Sequence, residues 1–169
     1  APDAVGLQVD LFDGASVDAA LAALDQRWGH LNALVNAAGP LVGGLKSFET
    51  YTDEEWQNVY SGLLMGAVRT IRAALPLLRK APWARIVNVS AMSTKRQSPP
   101  LVAYTSAKAA LTSVSKNLSQ SLAPEGILVN TVSPGTFVSE SFKASMAPIA
   151  DVDENDLHDV MRYINRNFG

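Results

Sequence analysis

Four short apolar runs, Val5 to Val9, Leu31 to Val35, Arg85 to Val89 and Ile127 to Val132, are spaced along the chain with helix-length stretches between them. Strands so far apart cannot be joined as hairpins, because a connection of about a dozen residues or more is the signature of a right-handed crossover between parallel strands. The alternation therefore predicts an α/β fold with a doubly wound parallel sheet. In such a sheet the site lies at the carboxyl ends of the strands. Polar and small residues gather at those ends: Asp10, Asn36 to Gly39, Asn88 to Ser93, and Ser133 to Ser139.

The helices are read from apolar spacing and stop signals. Ser16 is the expected N-cap of the first, with Asp18 in its first turn, Val17, Leu21, Leu24 and Trp28 on one face, and Gly29 as its stop. A long helix from Glu54 carries Trp56, Val59, Leu63, Ala67 and Ile71 and is expected to kink or end near Pro76. Another opens around Tyr104 and runs through Leu111 and Leu118 until Pro124 and Gly126 close it. A last helix is expected between Asp153 and Asn167, with Leu157, Val160, Met161 and Ile164 turned inward.

At 169 residues, 47% hydrophobic and 18% charged, the chain has the length and balance of one globular domain with a sizeable core. A formal charge of −2 and scattered basic residues, with Lys95-Arg96 the one short basic run, give no nucleic-acid footprint. No stretch is read as a membrane span, and no leader pattern opens the sequence, so the expected compartment is the cytoplasm. Cysteine is absent, which removes disulfides and thiolate nucleophiles, and the histidines, His30 and His158, lie far apart, so no metal site is expected.

The pair that can do chemistry is Tyr104 and Lys108. One helical turn apart, they place a phenol and an ammonium on one face. A phenol titrates near ~10, and a cation about 4 Å away at an effective dielectric of ~20 favours its phenolate by a few kcal/mol. That makes tyrosine a usable acid or base.

Asn36-Ala37-Ala38-Gly39 after an apolar strand, Tyr104-x-x-x-Lys108 opening a helix, and Asn130-Thr131-Val132-Ser133-Pro134-Gly135 after the last strand together resemble the short-chain dehydrogenase/reductase family of the usual type, from about Val5 to Ser139. The resemblance implies a Rossmann-like domain that binds NAD or NADP and moves hydride between the nicotinamide and a carbonyl or alcohol substrate. By it, Tyr104 exchanges the proton, while Lys108 lowers its pKa and holds the ribose hydroxyls. Asn36, Ala37, Ala38 and Gly39 approach the adenosine half of the cofactor; Asp10 accepts from the adenine amino group, with the Leu11 amide beside it. Pro134 and Gly135 turn the chain under the nicotinamide, with the Val138 backbone and the Ser139 hydroxyl near the carboxamide. The rival readings are Asp10 as a turn former, Ser139 as a surface serine, and Asn36 as a satisfier of strand-end backbone groups.

The sequence departs from the family pattern at three places. The glycine-rich T-G-x-x-x-G-x-G turn does not occur in it, so its first strand corresponds to the family's third and the chain is expected to be part of a longer protein, without the first βαβ unit and the last strand. The family's catalytic serine usually sits about thirteen residues before the tyrosine, where this chain has Ala91 between Ser90 and Ser93. A one-residue change of register brings in Ser90, which is the expected catalytic serine, with Ser93 the alternative. The helix asparagine that supports a water relay to the lysine aligns with Leu63. These departures leave two expectations: an active oxidoreductase, or a weakened relative with a binding or assembly role. The resemblance also implies a homodimer or homotetramer built on the Glu54 and Tyr104 helices. Residues from Glu140 onward are expected to cover the substrate, with Phe142, Met146, Met161 and Tyr163 lining an apolar pocket.

Overall fold

The computed structural model describes residues 3–39, 46–135, 153 and 156–168. Three parallel strands, β1 (Ala33–Asn36), β2 (Ala84–Val89) and β3 (Ile127–Val132), lie in that order, with Asn36 opposite Asn88 and Ala84 opposite Ile127. The crossovers carry α1 (Gly14–Trp28) before β1, α2 (Asp53–Tyr60) and α3 (Gly66–Arg79) between β1 and β2, and α4 (Val102–Ser121) between β2 and β3. A last helix, α5, spans Leu157–Phe168.

The helix ends follow local chemistry. Asp13, not Ser16, caps α1: its carboxylate accepts from the Ala15 amide at 2.9 Å, and Ser16 instead accepts from the Asp10 amide at 2.9 Å. Gly29 ends α1 at φ 70°, a left-handed conformation that costs other residues energy. Thr52 and Glu55 form a reciprocal capping box at the start of α2. The helix does not end at Pro76; α3 runs through it to Arg79. The irregular turn lies upstream, where Ser61–Met65 form a π-helical segment between α2 and α3.

Alternation along the strands turns Ile86, Asn88, Ile127 and Val129 to one face, where Val17 and Leu21 of α1 and Ile71, Ala74, Leu77 and Leu78 of α3 close a core. On the other face Val35, Leu128 and Val132 remain 60%, 45% and 50% exposed. Within the described residues the double winding is thus present as one helical layer on a parallel sheet. Asp53–Arg79 is, by length and composition, long and apolar enough to cross a membrane, contrary to the expectation from sequence; its buried residues Val59, Leu63, Ile71, Leu77 and Leu78 pack against the rest of the chain.

Val5 to Val9 is not a strand. Its apolar alternation is real, but a strand also needs a ladder of backbone hydrogen bonds. The segment instead walls one side of an apolar slot of about 460 Å³ whose other side is β1 and whose floor includes Leu21, Leu24 and Ala67. In α5, Val160 is buried but Met161 is 41% exposed, so Met161 does not turn inward as expected. Phe142 and Met146 lie outside the described residues.

Candidate active site

The carboxyl ends of β1 and β2 are held together by side chains. Asn36 Nδ2 donates to Asn88 Oδ1 at 2.8 Å, Asn88 Nδ2 donates to Ser115 Oγ at 2.9 Å, and Ser115 donates to the Leu111 carbonyl at 2.7 Å. Asn88 is fully buried, and a buried amide must find partners. This relay fixes α4 over the ends of β1 and β2, and it gives Asn36 a structural employment.

Above it opens a cavity of about 290 Å³ lined by Ala37 and Gly39 after β1, Ser90 to Ser93 and Arg96 after β2, Leu101, Tyr104 and Lys108 near and on α4, and Pro134 and Gly135 after β3. Three of the four strand exits expected at one crevice thus meet at this hollow; Asp10, the fourth, does not line it. The loop after β2 is tied to the one after β3, since the Ser90 amide donates to the Val132 carbonyl at 2.8 Å and the Met92 amide to the Pro134 carbonyl at 2.9 Å.

Tyr104 and Lys108 share that cavity. The Lys108 Nζ lies 5.9 Å from the Tyr104 ring centroid and donates to the Val89 carbonyl at 2.8 Å, the one side-chain hydrogen bond it makes among the described residues. An ammonium has three donors, so two remain uncommitted. Lys108 is only 6% exposed, and burial holds its pKa below the ordinary lysine range; burial likewise pushes the Tyr104 phenol above its ordinary value. The expected lowering of Tyr104 by Lys108 is therefore outweighed in this structure by desolvation of the ring.

Ser90, the expected catalytic serine, lines the cavity, but its hydroxyl is engaged elsewhere. Its hydroxyl is turned into α4, donating to the Lys108 carbonyl at 3.1 Å and pairing with Thr112 Oγ1 at 2.8 Å, because the alternation of β2 points it to the helix-covered face. Ser93, three residues on in a short 3₁₀ turn (Met92–Thr94), also lines the cavity, and its hydroxyl is buried with no hydrogen-bond partner among the described residues. Ala91 presents only a methyl group to the same wall.

Leu63 sits in the π-helical segment, 3% exposed, and packs with Val59, Ala103, Ala107 and the Tyr104 ring. A Cβ at Gly39 would come within 2.9 Å of its Cδ2 and 3.8 Å of Lys108 Nζ. Glycine is what lets the strand exit pass between Leu63 and Lys108. Leu63 offers no donor or acceptor at this position.

Asp10 and Leu11 stand apart from the cavity. The Asp10 carboxylate accepts from the Phe12 amide at 2.8 Å, closing a turn, and the Leu11 carbonyl accepts from Arg69 at 2.9 Å. Leu11, Asn36, Ala37 and Ala38 line the apolar slot beside β1, and Ala37 belongs to both hollows. Val138 and Ser139 lie outside the described residues. Tyr163 lines a separate hollow with Phe48, Pro99 and Val102 rather than the Tyr104 cavity. Among the described residues no group of three or more metal-ligating side chains assembles. Sequence reasoning missed Arg96 as a cavity residue; the available signal was its place between a strand end and the Tyr104 helix.

Residues 1–150 match the family model described as short chain dehydrogenase. A protein named as a ketoacyl reductase of the monensin polyketide synthase from Streptomyces virginiae is 36% identical over 135 residues, which is 79% of this chain and 51% of the relative. A crystal structure of a short-chain dehydrogenase from Streptomyces avermitilis superposes with a TM-score of 0.74 at 34% identity, covering 80% of this chain and 50% of that one. An NADPH-bound short chain oxidoreductase from Pseudomonas aeruginosa PAO1, described as containing an atypical catalytic center, superposes with a TM-score of 0.77 at 26% identity, over 85% of this chain and 55% of that one. The chain spans about half the length of these proteins.

Proposed function

The chain belongs to the short chain dehydrogenase family, and on that footing we propose that it carries the proton-handling part of an NAD- or NADP-dependent oxidoreductase acting on a carbonyl or alcohol substrate. The observation that carries this reading is the single cavity in which Tyr104 and Lys108, one turn apart, meet a Ser93 hydroxyl that has no partner among the described residues.

The residues present fit a nicotinamide cofactor, which supplies or accepts the hydride when bound. Lys108 offers two uncommitted donors to ribose hydroxyls, and Ala37 and Gly39 leave the wall beside it free of side-chain bulk. Pro134 and Gly135, with Val138 and Ser139 beyond them, are the proposed support of the nicotinamide end. Asp10 and Leu11 are the proposed contacts of the adenine end.

In reduction the Tyr104 hydroxyl gives its proton to the substrate oxygen as that oxygen gains charge; in oxidation it takes the proton back. Burial keeps the phenol protonated at neutral pH, which favours donation. Once a phenolate forms, the Lys108 ammonium in the same cavity favours it. Ser93 replaces Ser90 as the hydroxyl that steadies the substrate oxygen. A buried, partnerless hydroxyl carries a penalty of ~1–3 kcal/mol, so rotation of Ser93 toward an entering acceptor is favoured. Leu63 leaves proton resupply to the solvent at the cavity mouth. A cytoplasmic homodimer or homotetramer with a small-molecule substrate completes the reading.

Ala91 and Leu63 favour a second reading, in which the fold is kept for binding or assembly and turnover is weak. Steady-state assay of the full chain with NADH and NADPH against a panel of carbonyl compounds separates the two. Turnover that falls ~10²–10⁴-fold in Tyr104→Phe supports the enzyme; cofactor binding without turnover supports the second reading.

A further inference from the structure

Arg96 lines the Tyr104 cavity, yet its guanidinium makes no hydrogen bond or ion pair among the described residues. Arg69 donates to the Leu11 carbonyl, Arg79 pairs with Glu125, and Arg162 pairs with Asp159; Arg27, Arg72 and Arg166 share the lack of a hydrogen bond among the described residues but do not line the cavity, as Arg96 does. Nor is Arg96 on a stray loop. Its amide donates to the Met92 carbonyl at 3.1 Å, and the Met92 amide is in turn tied to the Pro134 carbonyl at 2.9 Å, so the turn that carries Arg96 is anchored to the end of β3.

The charge balance of the hollow is one-sided. Among the described residues its ionisable lining is Lys108, Tyr104 and Arg96, with no aspartate or glutamate. Lys108 is 6% exposed, whereas Arg96 is exposed to solvent. A fork of donors at the entrance, with apolar Met92 and Leu101 also on the wall, suits a molecule with an apolar middle and an oxyanion at its far end. A volume of about 290 Å³ sits at the small end of ligand pockets, so the reacting part of that molecule is compact.

We propose that the substrate is a small carbonyl compound or alcohol bearing a terminal oxyanion, carboxylate or phosphate, held by Arg96 while its reacting oxygen meets Tyr104. This rests on the oxidoreductase reading, and Arg96 is on it a specificity-determining residue.

The test uses the full chain and its reductase activity on oxo acids, the matching methyl esters, and ketones of the same length ending in phosphate. The expected result is a kcat/KM preference of about ten- to a hundredfold for an anionic compound over the ester, carried in KM and weakened by salt. The carboxylate and phosphate arms identify which oxyanion is read. Arg96→Gln is expected to abolish the preference, and Arg96→Lys to restore part of it as a point charge without the fork. Equal rates on acid and ester, or a preference that survives in Arg96→Gln, overturn the proposal. So does an Arg96→Gln effect confined to the KM of the nicotinamide cofactor. Binding of the same anions, followed by tryptophan fluorescence, is read alongside turnover. Anion binding lost in Arg96→Gln without turnover on any substrate supports the subsite while the enzyme reading fails; ester turnover without an anion preference overturns the subsite alone.

Discussion

Two hollows open beside the same sheet, and they are built differently. The Tyr104 cavity is walled by β2, β3 and α4, whose loops are stitched by Ser90 to Val132, Met92 to Pro134 and Lys108 to Val89 hydrogen bonds. The slot along β1 is lined by Val5, Leu7 and Val9 together with Leu34 and Val35, with no backbone ladder between the segment and the strand. Among the described residues the first carries polar groups without partners in a hydrogen-bonded frame, and the second carries apolar surface beside a segment that makes no ladder. Chemistry is therefore expected to be sensitive to single atoms in the first hollow, while the second is expected to tolerate change.

The largest contrast is expected at Lys108. Lys108→Met should lower kcat/KM by about a hundredfold or more, since it removes the charge that steadies the phenolate. Thermal unfolding should show a Tm equal to or above that of the wild type, because a buried ammonium with one acceptor is removed. The folded-state pKa of Lys108 lies below its unfolded value of ~10.4, so between the two the unfolded chain binds the extra proton and stability grows with pH. Wild type should gain on Lys108→Met as pH rises through that window in denaturant titrations; a gap that widens the other way breaks the comparison.

A paired substitution sharpens it further. Ser93→Ala should cost about a hundredfold in kcat with no loss of stability, because its hydroxyl has no partner among the described residues to lose. Ser90→Ala should cost about 1 kcal/mol in a denaturant melt and less than about tenfold in rate, because its hydroxyl holds α4. Reversal of the two outcomes would return the catalytic role to Ser90. The smallest effect belongs to the slot: Val35→Thr, at a 60% exposed position, should change stability by no more than about 0.5 kcal/mol. A loss several times larger would mean that the slot is as closely packed as the cavity.

What the sequence discloses divides along the same line. The parallel order, the helix around Tyr104 and Lys108, and the gathering of strand ends rest on spacing within elements, and spacing is written locally. The sequence favours Ser90 over Ser93 as the catalytic serine; only the pleat of β2 shows that Ser90 turns into α4. Val5 to Val9 has the pattern of a strand, but pairing depends on what lies alongside, which no periodicity records. The missing water-relay asparagine was legible as Leu63, whereas its contact with Gly39 needed three dimensions.

The central claim is that Tyr104 handles the proton of the hydride step, and the pH profile of single-turnover carbonyl reduction tests it most directly. Followed by nicotinamide absorbance, the rate constant should stay level through neutrality and fall on the alkaline side as the buried phenol loses its proton, with that limb absent in a slow Tyr104→Phe variant. The same alkaline limb at an undiminished rate in Tyr104→Phe would contradict it.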